Sequence, residues 1–113
     1  MRRLKKRAEF MRVARGIRVG RSYFSLQATA VAAADEPGLG FTVTKQMGNS
    51  PERNRIRRRL KAASLACAVG FKPQHDYVLV GRRDALYVPF DKLVGELAGA
   101  LSKINSRMPT DAV

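Results

Sequence analysis

The chain has 113 residues, 45% of them hydrophobic, and carries 22 Lys and Arg against nine Asp and Glu, a net charge of +13. That length holds one domain, expected over residues 1–107, and the ordinary apolar fraction excludes wholesale disorder. The charge excludes an indifferent surface: it selects a polyanion, nucleic acid first and an anionic membrane second.

No apolar run approaches the roughly 18–20 residues that span a bilayer. Met1-Arg2-Arg3-Leu4-Lys5-Lys6-Arg7 has the charge of a signal peptide's leading end, but Ala8-Glu9-Phe10-Met11-Arg12 puts charges where its apolar segment belongs. The expectation is a protein with no membrane partner. Its single cysteine, Cys67, excludes an internal disulfide framework and an all-cysteine zinc site, and a cytoplasmic location fits best.

In chain order, Phe10, Val13, Ala14 and Ile17 recur at helical spacing and predict a short helix. Gly16 and Gly20 predict that it gives way to a turn or a short strand at Ile17-Arg18-Val19. From Tyr23 the period becomes two: Phe24, Leu26, Ala28 and Ala30 alternate with Tyr23, Ser25, Gln27 and Thr29. Asp35-Glu36-Pro37-Gly38 predicts a turn, after which Phe41 and Val43 alternate with Thr42 and Thr44, so an antiparallel hairpin is expected across it.

Ser50, Pro51 and Glu52 then read as N-cap, first helical residue and dipole-matched acid of a helix running to about Ala68. Asp76-Tyr77-Val78-Leu79-Val80 predicts a strand covered on both faces. Phe90, Leu93, Val94, Leu97, Leu101 and Ile104 predict a last helix, and Met108 to Val113 a frayed tail. The fold class is α+β: a two-layer sandwich, a mixed sheet of about four strands with three helices, in the order α-β-β-β-α-β-α.

Arg53-Asn54-Arg55-Ile56-Arg57-Arg58-Arg59-Leu60-Lys61 is the informative stretch, with six cations in nine residues. On a helical wheel Ile56, Leu60, Ala63 and Cys67 share a narrow arc, which is the buried stripe and makes Cys67 a core residue. Arg53, Arg57 and Lys61 form one straight row beside it; Arg55, Arg58 and Arg59 cover the opposite flank. Like charges at i, i+4 destabilise an isolated helix by about 0.2–0.5 kcal/mol per pair, and ordinary solvated faces mix signs. Arginine outnumbers lysine in this stretch, and its planar fork binds phosphate through two bonds at once. The pattern is that of a phosphate-binding helix.

No pair among the acids has the spacing of a two-metal clamp or of a general acid/base couple, and His75 is the sole histidine. The expectation is a chain with no catalytic residues and no metal site of its own. The alternating run offers a polar sheet face instead. Tyr23, Ser25, Gln27, Thr42 and Thr44, with Lys45 following, make a groove for single-stranded nucleic acid or else a plain solvent face.

Gly40-Phe41-Thr42-Val43-Thr44-Lys45, Gly48-Asn49 and Arg53-Asn54-Arg55-Ile56-Arg57-Arg58-Arg59-Leu60 together resemble the bacterial ribonuclease P protein family, whose hallmark is Arg-Asn-Arg. The likeness runs from about Arg7 to Leu101, taking in Glu9-Phe10, Val13, Gly16 and Asp76 to Val80. It implies a ribosomal-protein-domain-like fold with a left-handed βαβ crossover through the motif helix. It also implies an endoribonuclease holoenzyme in which a catalytic RNA subunit, using Mg2+, removes the 5′ leader of precursor tRNA, the protein alone being inactive.

Its implied partners are ribonuclease P RNA and precursor tRNA, with no protein partner. The resemblance sets Arg53, Asn54, Arg57 and Lys61 toward the leader, and Arg55 and Arg58 toward the catalytic RNA, with Arg59 on the same motif helix. It sets Phe10, Val13, Ala14, Tyr23, Ser25, Gln27, Thr42, Thr44 and Lys45 in a leader cleft. Ala14 and Gln27 stand where some relatives carry aromatics, Gln46 where lysine is frequent and Ser64 where an aromatic is frequent. The alternative is a ribosome-associated or general RNA-binding protein of similar fold. A membrane-active cationic protein would need a broader apolar face than this narrow stripe.

Overall fold

The computed structural model describes residues 1–32 and 35–108. Eight elements carry the fold: β1 (Arg2–Arg3), α1 (Arg7–Ala14), β2 (Ile17–Gly20), β3 (Phe24–Ala30), β4 (Gly38–Thr42), α2 (Ser50–Ala66), β5 (His75–Gly81) and α3 (Phe90–Arg107). The expected three helices and mixed sheet are present. The sheet has five strands in the order β1-β4-β5-β3-β2. The additional strand, β1, is two arginines pairing parallel with Gly38 and Leu39, too short and too charged for periodicity to reveal.

The hairpin expected across Asp35–Gly38 does not form. β5 lies between its two intended strands, antiparallel to β3 from Phe24–Gly81 to Ala30–His75 and parallel to β4 from Gly38–Asp76 to Thr42–Val80. The reason is burial. Asp76, Tyr77, Val78 and Leu79 are all buried, and a strand apolar on both faces must sit at the centre of a sheet. The antiparallel hairpin that does form joins β2 to β3. The parallel neighbours β4 and β5 are joined through α2.

Alternation then divides the molecule. Phe24, Leu26, Ala28, Leu39, Tyr77 and Leu79 face α2 and α3 in the main core. On the other face Val78 and Val80 meet Leu4, Phe10 and Val13, so α1 lies across the sheet from the other two helices. Gly81 permits the approach of α2, since a Cβ there would stand 2.7 Å from Ile56 and 3.1 Å from Leu60. Met108, expected at the head of a frayed tail, is buried in the main core; the remainder of that tail lies outside the described residues.

Candidate nucleic-acid interface

α2 begins on a reciprocal cap. The Asn49 side chain accepts the Glu52 N–H at 2.9 Å, and the Glu52 carboxylate accepts the Asn49 N–H at 2.9 Å. Asn49 is therefore the N-cap in place of Ser50, which is already helical, and Pro51 fits the first turn. The apolar stripe is as expected: Ile56, Leu60, Ala63 and Cys67 are buried. Burial pushes the Cys67 thiol pKa up, and its Sγ donates to the Val94 carbonyl at 3.6 Å.

The cations of α2 separate into distinct sets. Arg53 donates to the Gly48 carbonyl at 3.2 Å and to Ser50 Oγ at 3.1 Å. Arg57 donates to Asn54 Oδ1 at 3.1 Å and to the Val43 carbonyl at 3.5 Å. With the exposed Lys61 they form the expected row, which runs beside β4. Arg55 and Arg58 are exposed, and Arg58 borders Arg57 and Lys61 along the cleft between α2 and the sheet edge.

Arg59 departs from expectation. Its guanidinium donates to the Ala85 carbonyl at 2.6 Å and also to the Val88 carbonyl. It fastens the turn Arg83–Leu86 and the Val88 carbonyl beyond it to α2, and is committed to the fold.

The proposed cleft is partly assembled. Ser25 and Gln27 share the α1 side of the sheet with Thr42, Val78 and Val80, as the strand register requires. Phe10 closes over it: a Cβ at Gly40 would stand 2.6 Å from its ring, so glycine alone lets the ring lie on the β4 backbone. Ala14 is exposed beside it.

Two expected members do not line its open surface. Val13 has 0% exposure and is pure core. Tyr23 precedes β3 and packs against the main core on the α3 side, with Lys92 Nζ 6.0 Å from its ring centroid. Strand alternation does not extend to a residue outside the strand. Thr44 and Lys45 are exposed at the end of β4, where the chain turns from the sheet toward α2.

Sequence reasoning missed Arg18 and Arg82. Both donate to Ser25 Oγ, at 3.2 and 3.3 Å, bringing two guanidiniums to one hydroxyl on the cleft face. Their convergence depends on β5 lying beside β3; no local signal carries it. The row on α2 and the cleft occupy opposite faces of the sheet, so they do not form one continuous wall.

Two carboxylates are tuned. The Arg83 guanidinium and the Asn49 N–H hold Glu52 below the ordinary carboxylate range. The backbone N–H groups of Lys6 and Lys5 hold Glu9 below it as well. Neither faces a reacting group. His75 Nδ1 is bonded to the Pro73 carbonyl at 2.8 Å, which requires that nitrogen to carry the proton. Among the described residues no three His, Cys, Asp or Glu side chains converge. No helix among them is long and apolar enough to cross a membrane.

A mixed sheet with one heavily cationic helix seated on it, and a second pair of guanidiniums on its other face, defines a basic α+β protein that attracts anions. The fold is that of solved ribonuclease P proteins. It resembles the one from Staphylococcus aureus with a TM-score of 0.78 at 24% identity, covering 92% of this chain and 95% of that one. It resembles the one from Thermotoga maritima with a TM-score of 0.78 at 20% identity, covering 91% and 97%.

In sequence, the chain is 41% identical over 115 residues to the ribonuclease P protein component of Brucella suis, spanning 93% of this chain and 81% of that protein. It is 44% identical over 108 residues to that of Gluconacetobacter diazotrophicus, spanning 93% and 92%. The family model described as Ribonuclease P matches residues 1–105. The chain belongs to the ribonuclease P protein family, a membership consistent with a role in tRNA processing.

Proposed function

We propose that this chain is the protein subunit of a ribonucleoprotein ribonuclease P in the cytoplasm, binding a catalytic RNA and the 5′ leader of precursor tRNA. It assists magnesium-dependent removal of the leader, and the RNA carries the chemistry. The observation that supports this most is α2, whose buried stripe fixes one face while Arg55, Arg58 and Lys61 stand exposed on the others. Such a helix repels itself in isolation, and phosphate relieves the repulsion.

The leader lies across the α1 side of the sheet, over Phe10, Ala14, Gln27 and Thr42, with Arg18 and Arg82 beneath its phosphates. It turns past Thr44 and Lys45 to reach Arg53 and Arg57, while Arg55 and Arg58 grip the catalytic RNA. In this reading the magnesium is held by the RNA, whose phosphate oxygens are the hard ligands it prefers. The protein's part is positional: a held leader places the scissile bond before the RNA's reactive groups.

The test compares precursor with mature tRNA in the reconstituted holoenzyme. Replacing Arg53, Arg57 and Lys61 with alanine should weaken precursor binding more than mature binding, as should Arg18→Ala with Arg82→Ala. Equal losses for the two RNAs would overturn the leader assignment and favour a general RNA-binding protein. Purified protein alone should leave precursor tRNA intact, and addition of the cognate RNA should bring cleavage at low magnesium. Robust cleavage by RNA-free protein would overturn the division of labour.

A further inference from the structure

A cleft of about 360 Å³ lies away from the α1 side, between α2 and the β1–β4 edge of the sheet. That volume is within the roughly 300–1,000 Å³ typical of ligand sites. Leu39, Phe41 and Leu65 provide its apolar surface, and Ser64 lies at its back. The Ser64 hydroxyl is turned onto the Leu60 carbonyl at 2.8 Å, so the side chain fills little of the space. Leu65, on the wall, is 65% exposed.

Every charged side chain lining the cleft is a cation. They are not equally available. Arg2 is paired with Asp76 at 2.6 Å, and Arg57 is engaged by Asn54 and Val43. Arg3, Arg58 and Lys61 are exposed and make no side-chain hydrogen bond among the described residues. The cleft thus joins an apolar interior, containing one aromatic ring, to a rim of uncommitted positive charge. A ligand matching both must be flat and apolar at one end and anionic at the other.

The geometry points to an unstacked nucleotide of RNA, its base seated against Phe41, Leu39 and Leu65 and its flanking phosphates held by Arg58, Lys61 and Arg3. This rests on the RNA-binding reading above and adds to it a base-accepting site on the face opposite the leader cleft. Stacking on an aromatic ring is tolerant of sequence, so the site selects a splayed-out base in preference to a particular base. A paired helix cannot enter. The site therefore favours bulges, loops and single strands, the parts of RNA whose bases are free.

The experiment is methyl-detected NMR on the full chain, titrated with a single-stranded RNA hexamer. Base protons should show contacts to the methyl groups of Leu39 and Leu65 and to the Phe41 ring. A hexamer with abasic sites should lose those contacts. Ser64→Phe, which fills the cleft without changing charge, should abolish them and weaken the hexamer roughly 5- to 100-fold at this site. Leu65→Glu, at an exposed position, gives a second variant that should do the same should the first fail to fold.

Base contacts confined to the Val78 and Val80 methyls, with Leu39 and Leu65 undisturbed, would overturn this site and leave the RNA-binding reading standing. A hexamer that disturbs neither face would overturn both.

Discussion

Arg2 reaches Asp76 at 2.6 Å across 74 residues of sequence. The contact ties the outermost strand to the central one, passing over Gly38 of β4, which is in register with both. Asp76 is 1% exposed. Arg2 also donates to the Glu36 carbonyl at 2.9 Å, so one guanidinium secures both the sheet edge and the chain leading into β4. Removing it leaves a buried carboxylate without its countercharge.

Arg2→Met should therefore destabilise the protein by about 2–3 kcal/mol, below the roughly 3–5 kcal/mol of a fully buried pair because Arg2 keeps contact with solvent. Asp76→Asn added to it should recover part of the loss. Urea unfolding of the two variants measures this, and a double variant no more stable than Arg2→Met alone would contradict the assignment.

Arg58 and Arg59 are neighbours in sequence with opposite expected phenotypes. Arg59→Ala should cost about 1.5–3 kcal/mol of stability, since it strips a charged donor from the Ala85 and Val88 carbonyls. It should leave the salt dependence of RNA binding unchanged. Arg58→Ala should do the reverse, preserving the unfolding midpoint and reducing the slope of log K against log salt by about 0.7–0.9. Thermal melts and a salt titration of each variant are sufficient, and matching phenotypes would count against the distinction.

The cap on α2 makes a part of the stability sensitive to acid. Glu52 has a folded-state pKa below its ordinary value of 4.5, owing first to the Arg83 side chain and then to the Asn49 N–H. A lowered pKa means stability that is present above 4.5 and lost as pH falls below it through the folded value. Glu52→Gln should flatten that part of the pH–stability curve, and an unchanged curve would show that the pair contributes nothing measurable in solution.

Tyr77 anchors the far end of the core. Its hydroxyl donates to Asn105 Oδ1 at 2.7 Å and accepts the Lys72 N–H at 3.1 Å, and Asn105 Nδ2 donates to the Gly70 carbonyl at 2.8 Å. Burial pushes the Tyr77 pKa up, so the hydroxyl stays protonated. Tyr77→Phe should cost about 1–3 kcal/mol, because two polar partners lose their bond while the ring stays packed. Chemical denaturation reads the loss directly.

The readable parts of the sequence were those with local causes. The stripe Ile56–Leu60–Ala63–Cys67 follows from helical period, and the cationic row from charge at i, i+4. The last helix and the central strand were equally plain in their apolar spacing. Pairing was not readable. β3 and β4 are neighbours in sequence and look like a hairpin, yet β5 has two apolar faces to bury and takes the place between them. The same remoteness hid the meeting of Arg18 and Arg82 on Ser25, and the commitment of Arg59 to a turn far downstream. Tyr23 departs from the expected face because it precedes β3, and alternation ends with the strand.

The central position of β5 has a consequence for when this protein becomes competent. During synthesis β3 and β4 are made well before the strand that joins them, and α2 precedes the Gly81 against which Ile56 and Leu60 come to rest. Until β5 is complete, the nascent chain carries all the arginines of its motif with no surface to array them on. Contacts this distant in sequence make folding late and concerted. A copy truncated before β5 would keep the helix's charge and lack its direction, able to attract RNA and unable to place it.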